Sequence, residues 1–221
     1  MKDLKAIRGG RIVREMIVQG EHETQDFKFA VSDARKIARS LSAFANHHGG
    51  RLLIGVKDNG NIAGVRSEED ACVVELAAER YCRPAQKIDF KAYNVDGTAC
   101  VIVAEIEASV DRPVYASEPD GSWRAYYRVA DENIVAPPLM VRAWEMQTSG
   151  LGSAFSLDGI TTDALAFISG REEIADSREL ALALHVSQAA ADEAVARLMS
   201  MELIEYVFVS PGFRIKAVHL Q

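Results

Sequence analysis

The chain has 221 residues, a net charge of −7, and a hydrophobic fraction of 48%. This length suits one large domain or two small ones, and the acidic balance argues against a protein that coats nucleic acid unselectively. No apolar run is long enough to cross a bilayer, and the first residues lack the apolar stretch of a secretory signal. The three cysteines (Cys72, Cys82 and Cys100) form no C-x-x-C pair, so we expect a cytoplasmic protein without a disulfide framework, a cysteine-rich zinc site or a membrane partner.

The charge is unevenly distributed along the chain. Residues 1–58 hold 11 Lys and Arg against 7 Asp and Glu, which is a net charge of +4. The two following segments, residues 59–153 and 154–221, have net charges of −6 and −5. A polyanion would be attracted to the first quarter of the chain, although such patches are also common on proteins that bind no polyanion.

The first elements predict a mixture of strands and helices. The apolar, β-branched run of residues 11–18 predicts a strand, and the alternation of residues 26–29 predicts a second one. Ser32 or Asp33 can cap a helix whose apolar residues recur at helical spacing until the sequence N-H-H-G-G stops it. A buried strand, R-L-L-I-G-V, then leads through the tight turn K-D-N-G-N into a paired strand, I-A-G-V.

The next elements complete a first domain. A helix is predicted over residues 67–81, and two strand–turn–strand hairpins follow over residues 87–108 and 112–130. We therefore predict an α+β domain over residues 1–146, with a mixed, mostly antiparallel sheet and packed helices. The sequence Q-T-S-G-L-G-S is typical of a linker, which we predict over residues 147–159.

The last part of the chain differs in pattern. Three amphipathic helices followed by a two-stranded hairpin predict a small winged helix-turn-helix domain over residues 160–221. Its third helix presents Asp192 and Glu193, which would repel phosphates, and only the wing, with Arg214 and Lys216, is basic. This charge favours a packing or dimerisation role over DNA reading.

Two blocks resemble a known family. The segment G-E-H-E-T-Q-D-F-K-F at residues 20–29 and the motifs A-F-A-N-x-x-G-G and I-G-V-x-D-x-G-x-I-x-G within residues 37–65 closely resemble the Schlafen AlbA-like domain. Glu21, Asp26 and Asp58 stand at its acidic positions, with Asp26 replacing the commoner Glu. The resemblance spans about residues 11–143, and A-D-E-N at 130–133 departs from the family's usual small and hydroxyl residues.

The resemblance implies nucleic-acid binding, with DNA and RNA both open. Bacterial members are mostly described as transcriptional regulators, whereas some eukaryotic members cleave structured RNA with three carboxylates. An older label describes a divergent ATPase, but no G-x-x-x-x-G-K-[ST] is present, so ATP is not supported as a cofactor. We expect a nucleic-acid-binding regulator, and the alternatives are a metal-dependent RNA endonuclease and a protein-assembly scaffold without a nucleic-acid ligand.

The endonuclease alternative requires Glu21, Asp26 and Asp58 to act as catalytic residues and metal ligands. Residues five apart on a regular strand point to opposite faces, so Glu21 and Asp26 converge only if the chain bends between them. If all three acids meet, Mg²⁺ or Mn²⁺ would relieve their repulsion, polarise a phosphate and activate water. Equally, Asp58 suits the tight turn, and the other acids can pair with neighbouring cations.

The expected nucleic-acid binding requires exposed cations. We predict phosphate contacts on one open face from six residues of the basic first quarter: Arg8, Arg11, Arg14, Lys28, Arg35 and Arg39. Similar eukaryotic proteins carry two such lobes in one chain, so a homodimer is expected to build the same concave surface. His47 and His48 are expected to satisfy helix carbonyls rather than bind metal, and Asn46 to hydrogen-bond the backbone.

Overall fold

The computed structural model describes residues 4–65, 67, 69–97, 99–149 and 157–218. The chain divides into two compact units, Met1–Ala136 and Pro137–Gln221. The elements of the first unit are β1 (Ile7–Arg8), α1 (Gly10–Val18), β2 (Gln25–Lys28), α2 (Ala34–Ala45), β3 (Gly50–Ile54), α3 (Glu69–Arg80), β4 (Cys82–Arg83), β5 (Asp89–Val95), β6 (Ala99–Ile106), β7 (Tyr115–Ser117), β8 (Trp123–Val129) and β9 (Glu132–Val135).

The first unit contains two sheets. The larger has five strands in the order β1-β5-β6-β3-β2, with parallel pairing of β1 to β5 and of β2 to β3 and antiparallel pairing elsewhere. The smaller has the order β4-β7-β8-β9 and is antiparallel throughout. The predicted α+β class with mostly antiparallel strands is therefore confirmed.

Both faces of the five-stranded sheet are covered, because successive side chains along each strand point to opposite sides. Leu53 packs in one buried cluster with Val13 of α1. Its neighbour Leu52 packs in a different cluster with Leu41 and Phe44 of α2. Helices α1 and α2 therefore lie on opposite faces of this sheet.

Helix α2 also packs against the four-stranded sheet, and its polar residues bind that sheet. Asp33 caps the helix by accepting hydrogen bonds from the backbone of the first turn, as predicted. At its other end the buried Asn46 amide donates to Val114 O at 2.8 Å and Tyr126 O at 2.9 Å, and its Oδ1 accepts from Val114 N at 2.7 Å. Ser42 Oγ donates to Val114 O and accepts from Tyr126 N. The prediction that Asn46 binds backbone is confirmed.

The strand predicted over residues 11–18 is wrong, because these residues form helix α1. Val13 is buried and Met16 and Ile17 pack beside it, which is the i, i+3, i+4 spacing of one helix face. Val18, on the other side, is 87% exposed. The β-branched composition favours a strand, but the burial of one helical stripe against the sheet outweighs that propensity.

The paired strand predicted after the K-D-N-G-N turn is also wrong. The turn itself is tight, with Gly60 N donating to Lys57 O at 2.7 Å. Beyond it, only an isolated bridge joins Val56 to Ile62. Strand β3 already pairs with β2 on one side and β6 on the other, so it has no backbone edge left for another strand.

The second unit contains helices and one hairpin. Its elements are α4 (Pro138–Thr148), α5 (Gly159–Ser169), α6 (Ser177–Leu184), α7 (Gln188–Ser200), β10 (Ile204–Val209) and β11 (Gly212–Ala217). Residues from its helices and from the hairpin share one core, which includes Ile168, Leu180, Val195 and Ile215. Helices α5, α6 and α7 followed by the hairpin have the predicted order of three helices and a hairpin. The winged-helix assignment remains a prediction.

The predicted boundary after residue 146 and the linker over 147–159 also remain predictions, and residues 150–156 of that linker lie outside the described part of the chain. None of the described helices combines the length and apolarity needed to cross a membrane.

We predict that Asn46→Ala lowers the free energy of unfolding by about 3 kcal/mol, because it leaves several buried backbone groups of the second sheet without partners. Urea denaturation followed by circular dichroism measures the change. The control is Asn59→Ala in the exposed turn, where Oδ1 accepts one bond from Asn61 N, and a change below about 1 kcal/mol is expected there. Equal effects of the two substitutions would contradict this account of Asn46.

Candidate nucleic-acid interface

Glu21 and Asp26 converge, as the acidic motif requires. The chain bends between them, with His22 N donating to Gln25 O at 3.0 Å and Gln25 N donating back to His22 O. Glu21 Oε1 accepts from Phe27 N at 2.8 Å. Burial raises the pKa of Glu21, and a side-chain hydrogen bond with Asp26 raises it further. The bend thus brings two carboxyl groups, five residues apart in sequence, into direct contact.

Asp26 is a buried anion held by two cations. Its side chain is 6% exposed, and it lies 2.6 Å from Lys28 Nζ and 3.5 Å from Arg128 Nη2. Arg128 is itself buried, and its Nη1 donates to Asn133 Oδ1 at 2.8 Å. Asn133 in turn donates to Ser40 of α2. A buried charge needs such partners, so Asp26 joins β2, β8, β9 and α2 through one polar network.

Asp58 lies apart from this pair, in the exposed turn after β3. Within the described ranges, no group of three or more His, Cys, Asp or Glu side chains is placed to hold a metal ion. The two carboxyls that do meet are already offset by Lys28 and Arg128. These residues therefore do not fit a divalent cation, and the endonuclease alternative lacks its third ligand.

His47 follows α2 and packs on an aromatic ring. Its ring centroid lies 4.5 Å from that of Tyr127 in an edge-to-face arrangement and 4.0 Å from that of His48. Burial, together with the neighbouring His48, lowers the pKa of His47 to about 4. Its buried Nδ1 makes no hydrogen bond, so the structure does not show the expected contact of this atom with helix carbonyls.

The six predicted phosphate contacts do not share one face. Arg11 and Arg14 lie on α1, where they pair with Glu15 and Asp96. Arg35 and Arg39 lie on α2, across the sheet. Lys28 is engaged with Asp26, and Arg8 lies exposed on β1. The expectation of a single face is wrong, because the sheet buries both of its sides and each side carries its own helix.

A different basic surface forms along β4, the edge strand of the four-stranded sheet. Cζ of the exposed Arg35 lies 5.0 Å from the ring centroid of Tyr81, and Cζ of the exposed Arg83 lies 4.5 Å from that of Trp123. Ser117 connects the two pairs, since its N donates to Tyr81 O at 2.9 Å and it stands opposite Trp123 in the ladder. We call Arg35, Tyr81, Arg83 and Trp123 the β4-edge strip.

Glu118, an acidic side chain beside this strip, forms an ion pair with an arginine. Glu118 is buried, and it accepts from Arg39 Nε at 3.0 Å and from Tyr126 Oη at 2.5 Å. Burial raises the pKa of Tyr126 to about 12, and the hydrogen bond to Glu118 adds to this rise, so the phenol remains a donor. Arg39 therefore acts as the counterion of Glu118. Arg35 and Arg83 instead lie over aromatic rings.

Sequence reasoning missed Arg83, Tyr81 and Trp123. The available signal is the aromatic content of the last predicted hairpin of the first domain, which holds Tyr115, Trp123, Tyr126 and Tyr127. Pairing of β4 with β7 and of β7 with β8 then brings Arg83 to Trp123 from 40 residues away.

We predict that Glu21→Gln becomes progressively more stable relative to the parent as the pH rises above about 4.5, the ordinary pKa of Glu. A carboxyl whose pKa is raised by folding binds its proton more tightly in the folded state, so its ionisation at higher pH costs stability. Gln keeps the acceptor for Phe27 N and cannot ionise. Urea unfolding at several pH values measures the difference between the two curves.

The control for this prediction is Glu23→Gln, two residues away and exposed. Its curve should run parallel to that of the parent. Parallel curves for Glu21→Gln as well would mean that neither burial nor the contact with Asp26 raises the pKa of Glu21.

The comparisons with known proteins give a family match over most of the first unit. The family model described as Schlafen, AlbA_2 matches residues 21–137, which is more than half of the chain and includes the converging acids, α2 and the β4-edge strip. No curated protein matches the chain. Among solved structures, the DIP2311 protein from Corynebacterium diphtheriae is similar at 19% identity and a TM-score of 0.43, over 86% of this chain and 34% of that one. This chain thus spans about a third of that protein's length. The sequence resemblance is confirmed, and the chain belongs to the Schlafen AlbA_2 family.

Proposed function

We propose that the chain binds nucleic acid in a regulatory role and that the β4-edge strip is the contact surface. Membership in the Schlafen AlbA_2 family suggests nucleic-acid binding or regulation. The observation that carries the proposal is the placement of two exposed guanidinium groups over two aromatic rings at one sheet edge. Of the six predicted contact residues, the proposal retains Arg35 and gives Arg39 a supporting role. It adds Arg83, which was not predicted.

The chemistry of the strip suits phosphates. A guanidinium stays charged at any physiological pH and presents donors in a fork that matches phosphate oxygens. An aromatic ring beneath it contributes attraction without neutralising its charge, whereas a carboxylate partner would compete with the phosphate. Arg11 and Arg14 have carboxylate partners, and Arg35 and Arg83 have rings. This difference favours the strip over α1. Phosphate contacts of Arg8, Arg11, Arg14 and Lys28 remain predictions.

For the second unit, we propose packing or dimerisation rather than DNA reading. Polar side chains of α7 that would face a groove are hydrogen-bonded within this unit. Asp192 accepts from Ser177 Oγ at 2.5 Å, and Gln188 donates to Asp192 at 2.7 Å. Glu193 pairs with Arg142 of α4 and with Arg197. A helix whose polar groups are already paired has fewer left for base edges, which favours packing over DNA reading. The winged-helix fold and the homodimer remain predictions.

The test of the contact surface is the affinity of the full chain for labelled RNA and DNA oligonucleotides at several salt concentrations. The affinity of the double variant Arg35→Ala/Arg83→Ala at low salt is expected to be lower by about tenfold or more. Each lost phosphate contact reduces the number of counterions that binding releases. Its slope of log affinity against log salt should be shallower than that of the parent by about 1.5.

The matched control removes the same number of charges elsewhere in the first unit. Lys87→Ala/Lys91→Ala changes two exposed lysines that do not belong to the strip, one preceding β5 and one within it. Affinity within about twofold of the parent is expected, since neither lysine lies on the strip. Equal losses in the two double variants would reject the strip as the contact surface. No salt-dependent binding by the parent would reject nucleic-acid binding and leave the scaffold alternative.

A further inference from the structure

We infer that the ligand of the β4-edge strip is a single-stranded nucleic acid, an unpaired base of which stacks on Trp123 at the outer face of the four-stranded sheet. This inference rests on the proposed function and specifies its ligand. It depends on where the rings of this sheet point, on how the cations lie over them, and on how few cations the strip provides.

The direction of each side chain follows from the packing of its neighbours. Cys82, Ala116 and Tyr126 belong to the cluster that contains α2, so they point inward. Side chains alternate along a strand, which sends Arg83 of β4 and Trp123 of β8 to the opposite, outer face. The rings of Tyr115 and Tyr127 follow the same alternation. One face of the sheet therefore carries three aromatic rings and a cation.

Small side chains separate these rings. Ala125 lies between Trp123 and Tyr127 along β8 and stands opposite Tyr115 in the ladder. Ser117 stands opposite Trp123. Ala125 is only 3% exposed and the ring of Tyr127 contacts that of His47, so the accessible part of this face is at the partly exposed Trp123 and the exposed Arg83.

Ring faces discriminate between paired and unpaired bases. In a duplex each base is covered above and below by its neighbours, and only its edges and the backbone are accessible. In a single strand the bases can splay out and stack on aromatic rings or on an Arg guanidinium plane. The pair of Arg83 and Trp123, with Cζ 4.5 Å from the ring centroid, offers both kinds of surface at one position.

The small number of cations on the strip also favours a single-stranded ligand. Two ring-stacked arginines neutralise about two phosphates, which is too few for tight binding to a duplex through the backbone alone. Stacking multiplies affinity by about 5- to 150-fold for each base, so one stacked base would dominate the affinity. A chain with a net charge of −7 is expected to need this contribution.

The chain contains a convenient reporter. It has two tryptophans, Trp123 on the outer face and Trp144, which is buried on α4. Trp144→Phe leaves Trp123 as the only source of indole emission. Titration with unstructured oligo(dT) and oligo(U) should quench this emission, and duplexes of the same length should leave it nearly unchanged. Affinity for both single strands should exceed affinity for the duplexes by about tenfold or more.

Substitution of the ring itself completes the test. Trp123→Ala is expected to lower affinity for single strands by about tenfold and to change duplex affinity by less than about twofold, whereas Trp123→Phe keeps a ring and retains most of the affinity. Duplex affinity equal to or above single-strand affinity in the parent would overturn the inference without reference to any variant. That result would leave the proposed nucleic-acid function intact, whereas an absence of salt-dependent binding to either ligand would reject both.

Discussion

The buried amide of Asn46 is the contact on which the arrangement of the first unit depends. It binds backbone groups of Val114, immediately before β7, and of Tyr126 in β8. Ser42, one turn earlier, binds the same two residues. A buried backbone group that loses its partner costs more than the hydrogen bond contributes, so this sheet cannot slide along α2. The positions of Trp123 and Arg83 follow from that attachment, since their strands belong to this sheet.

Buried ion pairs strengthen the same arrangement and also change what the charged residues can do. Asp26 is held by Lys28 and Arg128, and Glu118 is held by Arg39. Removing one member of such a pair leaves the other as an uncompensated buried charge, which is far more costly than the pair is stabilising. Residues whose types suggest catalysis or phosphate contact are thus used to hold β2, α2 and β8 together. The two strip arginines rest on rings, so their charges stay available to a ligand.

The converging acids show how far a motif can be interpreted. The spacing of Glu21 and Asp26 meant that they could converge only if the chain bends between them, and the structure contains that bend. The third acid was predicted from the motif alone, and Asp58 lies in a tight turn instead of at the pair. Arg128, with its Nη2 3.5 Å from Asp26 Oδ1, is instead a close partner of Asp26. Its approach depends on strand pairing about a hundred residues away, which local sequence patterns do not encode.

The sequence by itself determined the family, the α+β class, the limits of α2 and the tight turn after β3. Each of these depends on residues close together in the chain, such as the cap at Asp33 and the glycines after Asn46. Only the tertiary structure decided that residues 11–18 form a helix, because burial of Val13 against the sheet outweighs local propensity. It also decided which cations share a surface. Alternation along the strands and the register of β4, β7 and β8 bring Arg83 to Trp123, and separate Arg11 from Arg35, through contacts between residues distant in sequence.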